Sequence, residues 1–350
     1  MKAVDFIRSQ FKSLPYPTED CAGRTVIVTG SNVGLGLEAA RHFVRLNAAK
    51  VILGVRSTDK GEAAKTDIEL TTGKRNVIEV WPLDQASFDS VKEFAARADR
   101  LPRLDCVVLN ASIATSKRAD AEGWESQVTV NVLSTFLLGL KLLPVLRRTG
   151  AQHNVTPKMV ITASDASQMV SPNPSSSLVS GLSVLASSWI LIFGRGQAKF
   201  HERNEEDIYK ALNVNKSLSD RYNTTKLMQI VIARQMAIAA DASGKGRVQI
   251  TTLNPGFCST ALFRNVPFPL TVVVKVALKL VARSAEVGSR TIMAGAFAGE
   301  EAHGRYMSDC VVVKFPKLMQ GEEGETMQGR VWEQTMELLE GVDSGLARNL

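Results

Sequence analysis

Short, almost uninterrupted apolar runs recur along the chain at 25–29, 51–53, 77–81, 106–109, 159–162 and 248–253. They are too short for helices and do not alternate with polar residues, which is the pattern of strands buried on both faces. Between them, 37–46, 59–70, 87–98 and 124–143 place apolar residues at helical spacing, with Asp59 and Ser87 suited to N-cap two of the helices. Alternation of this kind predicts an α/β fold, a parallel sheet covered by helices on both faces. One domain over 21–345 accommodates it, without internal repeats, behind a lead-in helix over 1–20. Charges at Lys2, Asp5, Arg8 and Lys12 interrupt the apolar positions of that lead-in and argue against a secretory signal.

One segment breaks the rhythm. Residues 168–207 run from the turn-rich SPNPSSS through the apolar LVSGLSVLASSWILIFG (178–194) to the charged HERNEED. The apolar part is short for a membrane span of roughly 20 residues and carries four serines. Two readings stay open: a lid or wall of a greasy pocket, which we expect, and a peripheral membrane contact.

Composition changes this picture little. The net charge is +7, yet basic and acidic residues alternate (Lys60, Glu62, Lys65, Asp67, Glu69), which argues against nucleic acid as a partner. Cys21, Cys106, Cys258 and Cys310 form no CxxC pair, and His42, His153, His201 and His303 fall on no ligand spacing, so no metal site is expected. Reduced thiols and a cytoplasmic location are the simplest expectation.

Candidate chemistry begins right after the first apolar run, with Thr29-Gly30-Ser31-Asn32-Val33-Gly34-Leu35-Gly36 leading into a helical stretch. Glycines at a strand-to-helix turn let backbone approach a pyrophosphate, which the helix N-terminus stabilises through unpaired N–H groups and its dipole. Glycines alone are a weak signal; their place between strand and helix strengthens it. At the end of the second run stands Arg56, where a dinucleotide fold meets the adenosine ribose. A guanidinium there favours the 2′-phosphate of NADP(H), and Lys60 lies one turn further on. Tyr222 and Lys226 stand four apart in a helical stretch and share a face. A phenol acts as general acid or base near neutrality only if nearby positive charge favours its anion, and Lys226 is placed to provide it.

With these residues in view the chain resembles the short-chain dehydrogenase/reductase family over about 20–260. TGSNVGLG matches that family's glycine turn, carrying Gly30, Ser31, Asn32, Gly34, Leu35 and Gly36 as cofactor contacts. Asp84 matches its adenine-contacting aspartate, and LNAS (109–112) resembles its NNAG with two changes, keeping Asn110. Asn131, Ser164, Tyr222 and Lys226 match the catalytic tetrad in order. Pro255, Gly256 and Thr260 match the stretch that seats the nicotinamide carboxamide. The resemblance implies a Rossmann-type doubly wound sheet of about seven strands in the order 3-2-1-4-5-6-7. It also implies NADP(H), preferred over NADH, as cofactor. Tyr222 would be proton donor, Ser164 a hydrogen-bond donor to the substrate oxygen, Lys226 a holder of the nicotinamide ribose, and Asn131 a support for a water-linked proton path.

Two departures stand out. Ser112 replaces the family's usual glycine, and Ser164 and Tyr222 are 58 positions apart where relatives have little more than a dozen between them. The lead-in, GRYMSD (304–309) and GRVWEQTMELL (329–339) resemble the retinol-dehydrogenase-like branch, which includes fungal tailoring enzymes of secondary metabolism. That branch implies a bulky lipophilic ketone, aldehyde or alcohol as substrate, a polyketide or terpenoid among them. Family members are often dimers or tetramers, which makes a homodimer one expectation, although the insertion could block an assembly surface. Two rival readings stay open: a cofactor-binding scaffold without catalysis, and a dehydratase or isomerase on the same fold.

Overall fold

A computed structural model describes residues 8–164, 199–260 and 280–350. Its main sheet has strands β1 (Thr25–Thr29), β2 (Lys50–Val55), β3 (Ile78–Pro82), β4 (Cys106–Leu109), β5 (Lys158–Thr162), β6 (Gln249–Asn254), β7 (Tyr306–Ser308) and β8 (Val311–Val313). Their spatial order is 3-2-1-4-5-6-7-8. The first seven run parallel, as expected, and β8 turns back antiparallel on β7 as an eighth strand that the sequence pattern did not reveal. The sheet reverses between β1 and β4, the place where open α/β sheets leave a crevice at their carboxyl ends.

Alternation of side chains along each strand divides the core in two. Ile27, Ile52 and Val107 point to one face, where they meet Phe94 of α3 (Phe88–Asp99), Phe136 of α4 (Ser134–His153) and Ile230 of α6 (Arg221–Ala242). Val26, Val28, Val51, Leu53 and Val108 point to the other. There they meet Phe43 of α1 (Gly34–Arg45), Ile68 of α2 (Thr58–Thr72) and Met293 of α7 (Ala285–Phe297). Residues that must be apolar on both sides explain the unbroken apolar runs.

Local chemistry adjusts several expected boundaries. Ser87 caps α3 as expected, its side chain accepting from the Ser90 backbone N–H. Ser57 rather than Asp59 occupies the N-cap of α2; Asp59 lies inside the first turn, where the helix dipole still favours its charge. The helix expected from residue 124 starts later. Trp124–Glu125 pairs with Asp120–Ala121 in a small hairpin turned by Glu122 and Gly123, both at positive φ. A short helical turn and a π-turn, Thr129–Leu133, then lead into α4. The joined helix Ser126–His153 is long and apolar enough to cross a membrane, but 89% of its most apolar window is buried inside the protein, as a core helix requires.

The lead-in departs from expectation as well. Of its described residues only 8–10 are helical, and 13–20 follow an irregular path set by Pro15 and Pro17, which cannot continue a helix. That path is held tightly: Arg45 and Arg290 lie 4.4 and 5.1 Å from the Tyr16 ring centre, and they donate to Pro17 O and Leu14 O. The end of the inserted segment, 199–207, is pinned to the last helix, α8 (Gly321–Val342). Arg330 donates to Arg203 O at 2.9 Å and Gln334 to Glu206 O at 2.8 Å. The lid or pocket expected of 178–194 lies outside the described residues.

Candidate active site

At the carboxyl ends of the strands lies a cavity of about 680 Å³. Its floor is the turn after β1, where Gly30 and Gly34 both adopt φ +64°, a conformation that side chains rarely tolerate. A Cβ on Gly30 would come within 2.9 Å of Ala111 Cα. Gly36 allows α1 to close on the sheet, since a Cβ there would meet Gly30 O at 2.5 Å and Asn110 Nδ2 at 2.6 Å. Among the described residues no side-chain cap of α1 is seen and its first turn holds no acid, which suits its leading N–H groups to an anion.

Thr29 and Asn110 brace this turn. Thr29 Oγ1 accepts from the backbone N–H groups of Asn110 and Ala111, both at 3.0 Å, and the Asn110 amide donates back to Thr29 O. Asn32, Gly34 and Leu35 line the cavity with Gly30 and Asn110. Ser31 does not: it is fully buried and its hydroxyl donates to Val28 O at 2.8 Å, which makes it a support of the turn rather than a contact surface. Gly36 is likewise a packing residue behind the cavity wall.

Arg56, Ser57 and Lys60 line one end of the cavity, beside Asp84, whose Oδ1 accepts from Ala86 N. Both cations are exposed, Arg56 just after β2 and Lys60 in the first turn of α2. Pro255, Gly256 and Thr260 also line the cavity, with Phe257 and Cys258. Gly256 has φ +81°, and Thr260 faces the glycine turn, with its Cβ 3.4 Å from where a Gly34 Cβ would lie. A glycine cradle and an uncapped helix together fit a dinucleotide.

Ser164, Tyr222 and Lys226 line the same cavity. Ser164 follows β5, while Tyr222 and Lys226 project from the first two turns of α6, so the long chain detour between them closes in space. Burial raises the pKa of the Tyr222 phenol well above the usual tyrosine value, and its hydrogen bond to Ser164 draws it back only in part. Lys226 Nζ lies 5.7 Å from the Tyr222 ring centre, and burial pushes its pKa down to about 7. Its three N–H bonds meet three acceptors: Ser112 Oγ at 2.9 Å, Thr162 O at 2.7 Å and Gln229 Oε1 at 3.0 Å. Those bonds favour the ammonium and oppose the effect of burial.

Asn131 is fully buried in the π-turn. Its amide accepts from Ile113 N at 2.8 Å and donates to Ile113 O and Thr225 Oγ1. It fixes the loop after β4 against α6. The start of α6 is fixed by buried Arg221, which lies 3.8 Å from Glu125 in the hairpin and 3.9 Å from Glu202 at the end of the inserted segment.

Sequence reading missed Gln229, and it missed the buttress behind Gly256. Gln10 Oε1 accepts from Phe257 N at 3.1 Å. Arg283 donates to Pro255 O and to Ser9 O and pairs with Asp309 at 2.7 Å. No motif marks these residues. The described residues contain no group of His, Cys, Asp and Glu arranged to hold a metal ion.

Comparison with known proteins finds relatives along nearly the whole chain. A family profile described as short chain dehydrogenase matches residues 24–176. The short chain dehydrogenase/reductase dmxR8 of a Cryptosporiopsis species is 41% identical, over 99% of this chain and 100% of that protein. The short-chain dehydrogenase anuD of Penicillium roqueforti is 37% identical, over 99% of this chain and 85% of that protein. Among solved structures, an uncharacterized protein from Mycobacterium paratuberculosis superimposes with a TM-score of 0.61 at 22% identity, covering 92% of this chain and 96% of its own. At that identity it speaks for the fold alone.

Proposed function

The chain belongs to the short-chain dehydrogenase/reductase family of nicotinamide-dependent oxidoreductases, and on that premise we propose that it transfers hydride between NADP(H) and the carbonyl or alcohol carbon of a bulky lipophilic substrate. The observation that carries the reading is the meeting of Ser164, Tyr222 and Lys226 in the cavity that the glycine turn and Arg56 also line.

A bound nicotinamide supplies or takes the hydride; the rest falls to the chain. In the reductive direction Tyr222 gives its phenolic proton to the carbonyl oxygen as the carbon gains hydride, so the substrate takes up one hydride and one proton. Ser164 donates a hydrogen bond to the same oxygen and stabilises the charge that develops there. Lys226 favours the resulting tyrosinate by its positive charge and holds the nicotinamide ribose hydroxyls. Asn131 keeps the loop after β4 in place. Arg56, assisted by Lys60, selects NADP(H) by holding the 2′-phosphate. Pro255, Gly256 and Thr260 seat the carboxamide, and Asp84 the adenine. The apolar lining from Ile113, Ala114, Val130 and Phe257 supports a lipophilic substrate. The resemblance to fungal tailoring reductases supports a polyketide or terpenoid.

The test is a panel of bulky ketones, including 1-decalone, assayed for cofactor oxidation with NADPH and NADH beside Tyr222→Phe. NADPH oxidation by the parent and its loss, by at least a hundredfold, in the variant support the reading. A variant as active as the parent rejects it.

A further inference from the structure

Lys226 is a fully buried ammonium with three donors and three acceptors, and the acceptors differ in how firmly they are held. Thr162 O belongs to the backbone of β5, two residues before Ser164. Gln229 Oε1 belongs to a side chain 1% exposed and gripped at both ends, because its Nε2 donates to Asn131 O at 2.6 Å. That second bond decides which way the amide points: nitrogen towards Asn131, oxygen towards Lys226. Ser112 Oγ, in contrast, lines the cavity and turns about a single bond.

We infer that Gln229 is a positioning residue for the reaction. It bridges Lys226 to the π-turn and fixes the ammonium, so that only the N–H bond facing Ser112 is free to pass to a hydroxyl group entering the cavity. The inference rests on the proposed role of Lys226. The π-turn, β5 and α6 are joined through one nitrogen, and Ser112 keeps the exchangeable donor paired until a ribose diol replaces it.

A carboxamide suits this position because it accepts from the ammonium without neutralising it. Glutamate would add a counter-charge and raise the lysine pKa; methionine would leave a buried ammonium N–H unpaired; neither could donate to Asn131 O. The titratable group facing Lys226 is Tyr222 on its own helix, and Cys258, from the loop after β6, faces Tyr222. The partners from β5, the loop after β4 and the π-turn, namely Thr162, Ser112 and Asn131, carry no charge. The two substitutions should therefore move the lysine in opposite directions.

The experiment compares the parent, Gln229→Met, Gln229→Glu and Lys226→Met. Two readouts are taken across pH: NADPH affinity by fluorescence titration of the unreacted protein, and kcat and KM with 1-decalone. For Gln229→Met we expect kcat to fall about 10- to 100-fold, with the ketone KM within twofold of the parent. The alkaline limbs of kcat and of NADPH affinity should move to lower pH. For Gln229→Glu both limbs should move up by about one pH unit. A merely structural residue would lower stability in both variants without opposite pH shifts. Parent-like limbs in both, or failure of both to fold, overturn the inference. If only Gln229→Met fails to fold, the upward shift in Gln229→Glu decides alone. Lys226→Met separates the two claims: if it keeps parent activity the proposed function fails, whereas an inactive Lys226→Met beside parent-like Gln229 variants sinks the Gln229 inference only.

Discussion

The side-chain amide of Asn110 donates to the backbone carbonyl of Thr29 at 3.0 Å, joining the ends of β4 and β1 at the point where the sheet reverses direction. With the return bonds to Thr29 Oγ1, this clasp holds the glycine turn at the shape that the cavity floor needs.

Gly36→Ala places a methyl group between Gly30 O and the Asn110 amide, where there is room for neither to yield without opening the clasp. A loss of roughly 1–3 kcal/mol in stability is expected from overpacking of this kind. NADPH affinity should fall with it. Urea unfolding and fluorescence titration check both; an alanine variant as stable as the parent contradicts the packing role.

Arg56→Asp replaces a cation at the cavity end with an anion. NADPH affinity should drop about 10- to 100-fold, the range for losing a charge-assisted hydrogen bond, while NADH affinity holds or rises. Dissociation constants for both cofactors, measured side by side, decide it. An equal loss for both would mean that Arg56 does not read the 2′-phosphate.

Much of this was legible in the residues themselves, for reasons that are local. Strands between two helical layers must be apolar on both faces, so the runs around Val26 to Val28 and Val107 stand out. Gly30 and Gly34 need positive φ, and Tyr222 and Lys226 share a helix face by spacing alone. What was hidden depends on distance along the chain. Gln10 meets Phe257 across 247 positions, and Gln229 meets Asn131 across 98, with no pattern at either end. The hairpin before α4 turns on Glu122 at positive φ, which helical spacing around Trp124 concealed. Strand β8 has three residues, too few for a period. The irregular lead-in was in part readable, since Pro15 and Pro17 oppose a helix there.

Arg283 carries the loop after β6. It is buried and pairs with the partly exposed Asp309, and its bonds to Pro255 O and Ser9 O tie that loop to the lead-in. Arg283→Met should cost roughly 1–3 kcal/mol, because it leaves the acceptors Pro255 O and Ser9 O without their donor. It should also weaken NADPH binding through the displaced Gly256. Arg283→Met with parent stability and parent NADPH affinity would refute the buttress.

His42 links pH to the stability of α1. Burial pushes its pKa down to about 4 despite Glu286 at 3.2 Å, whereas the unfolded value is near 6.5. Between these values the unfolded chain binds the extra proton. The stabilisation is therefore complete above about 6.5 and is lost as pH falls towards 4, by roughly 2–3 kcal/mol. Unfolding midpoints across that window should fall in the parent and fall less in His42→Gln; identical slopes would contradict the assignment.

Hydride transfer itself is tested most directly with NADPH deuterated at the transferring position of nicotinamide C4 and a ketone that the parent reduces. Mass spectrometry of the alcohol should show a single deuterium on the former carbonyl carbon, with product formation lost in Tyr222→Phe. Turnover that leaves the label on the cofactor would place this chain among non-redox enzymes and contradict the account.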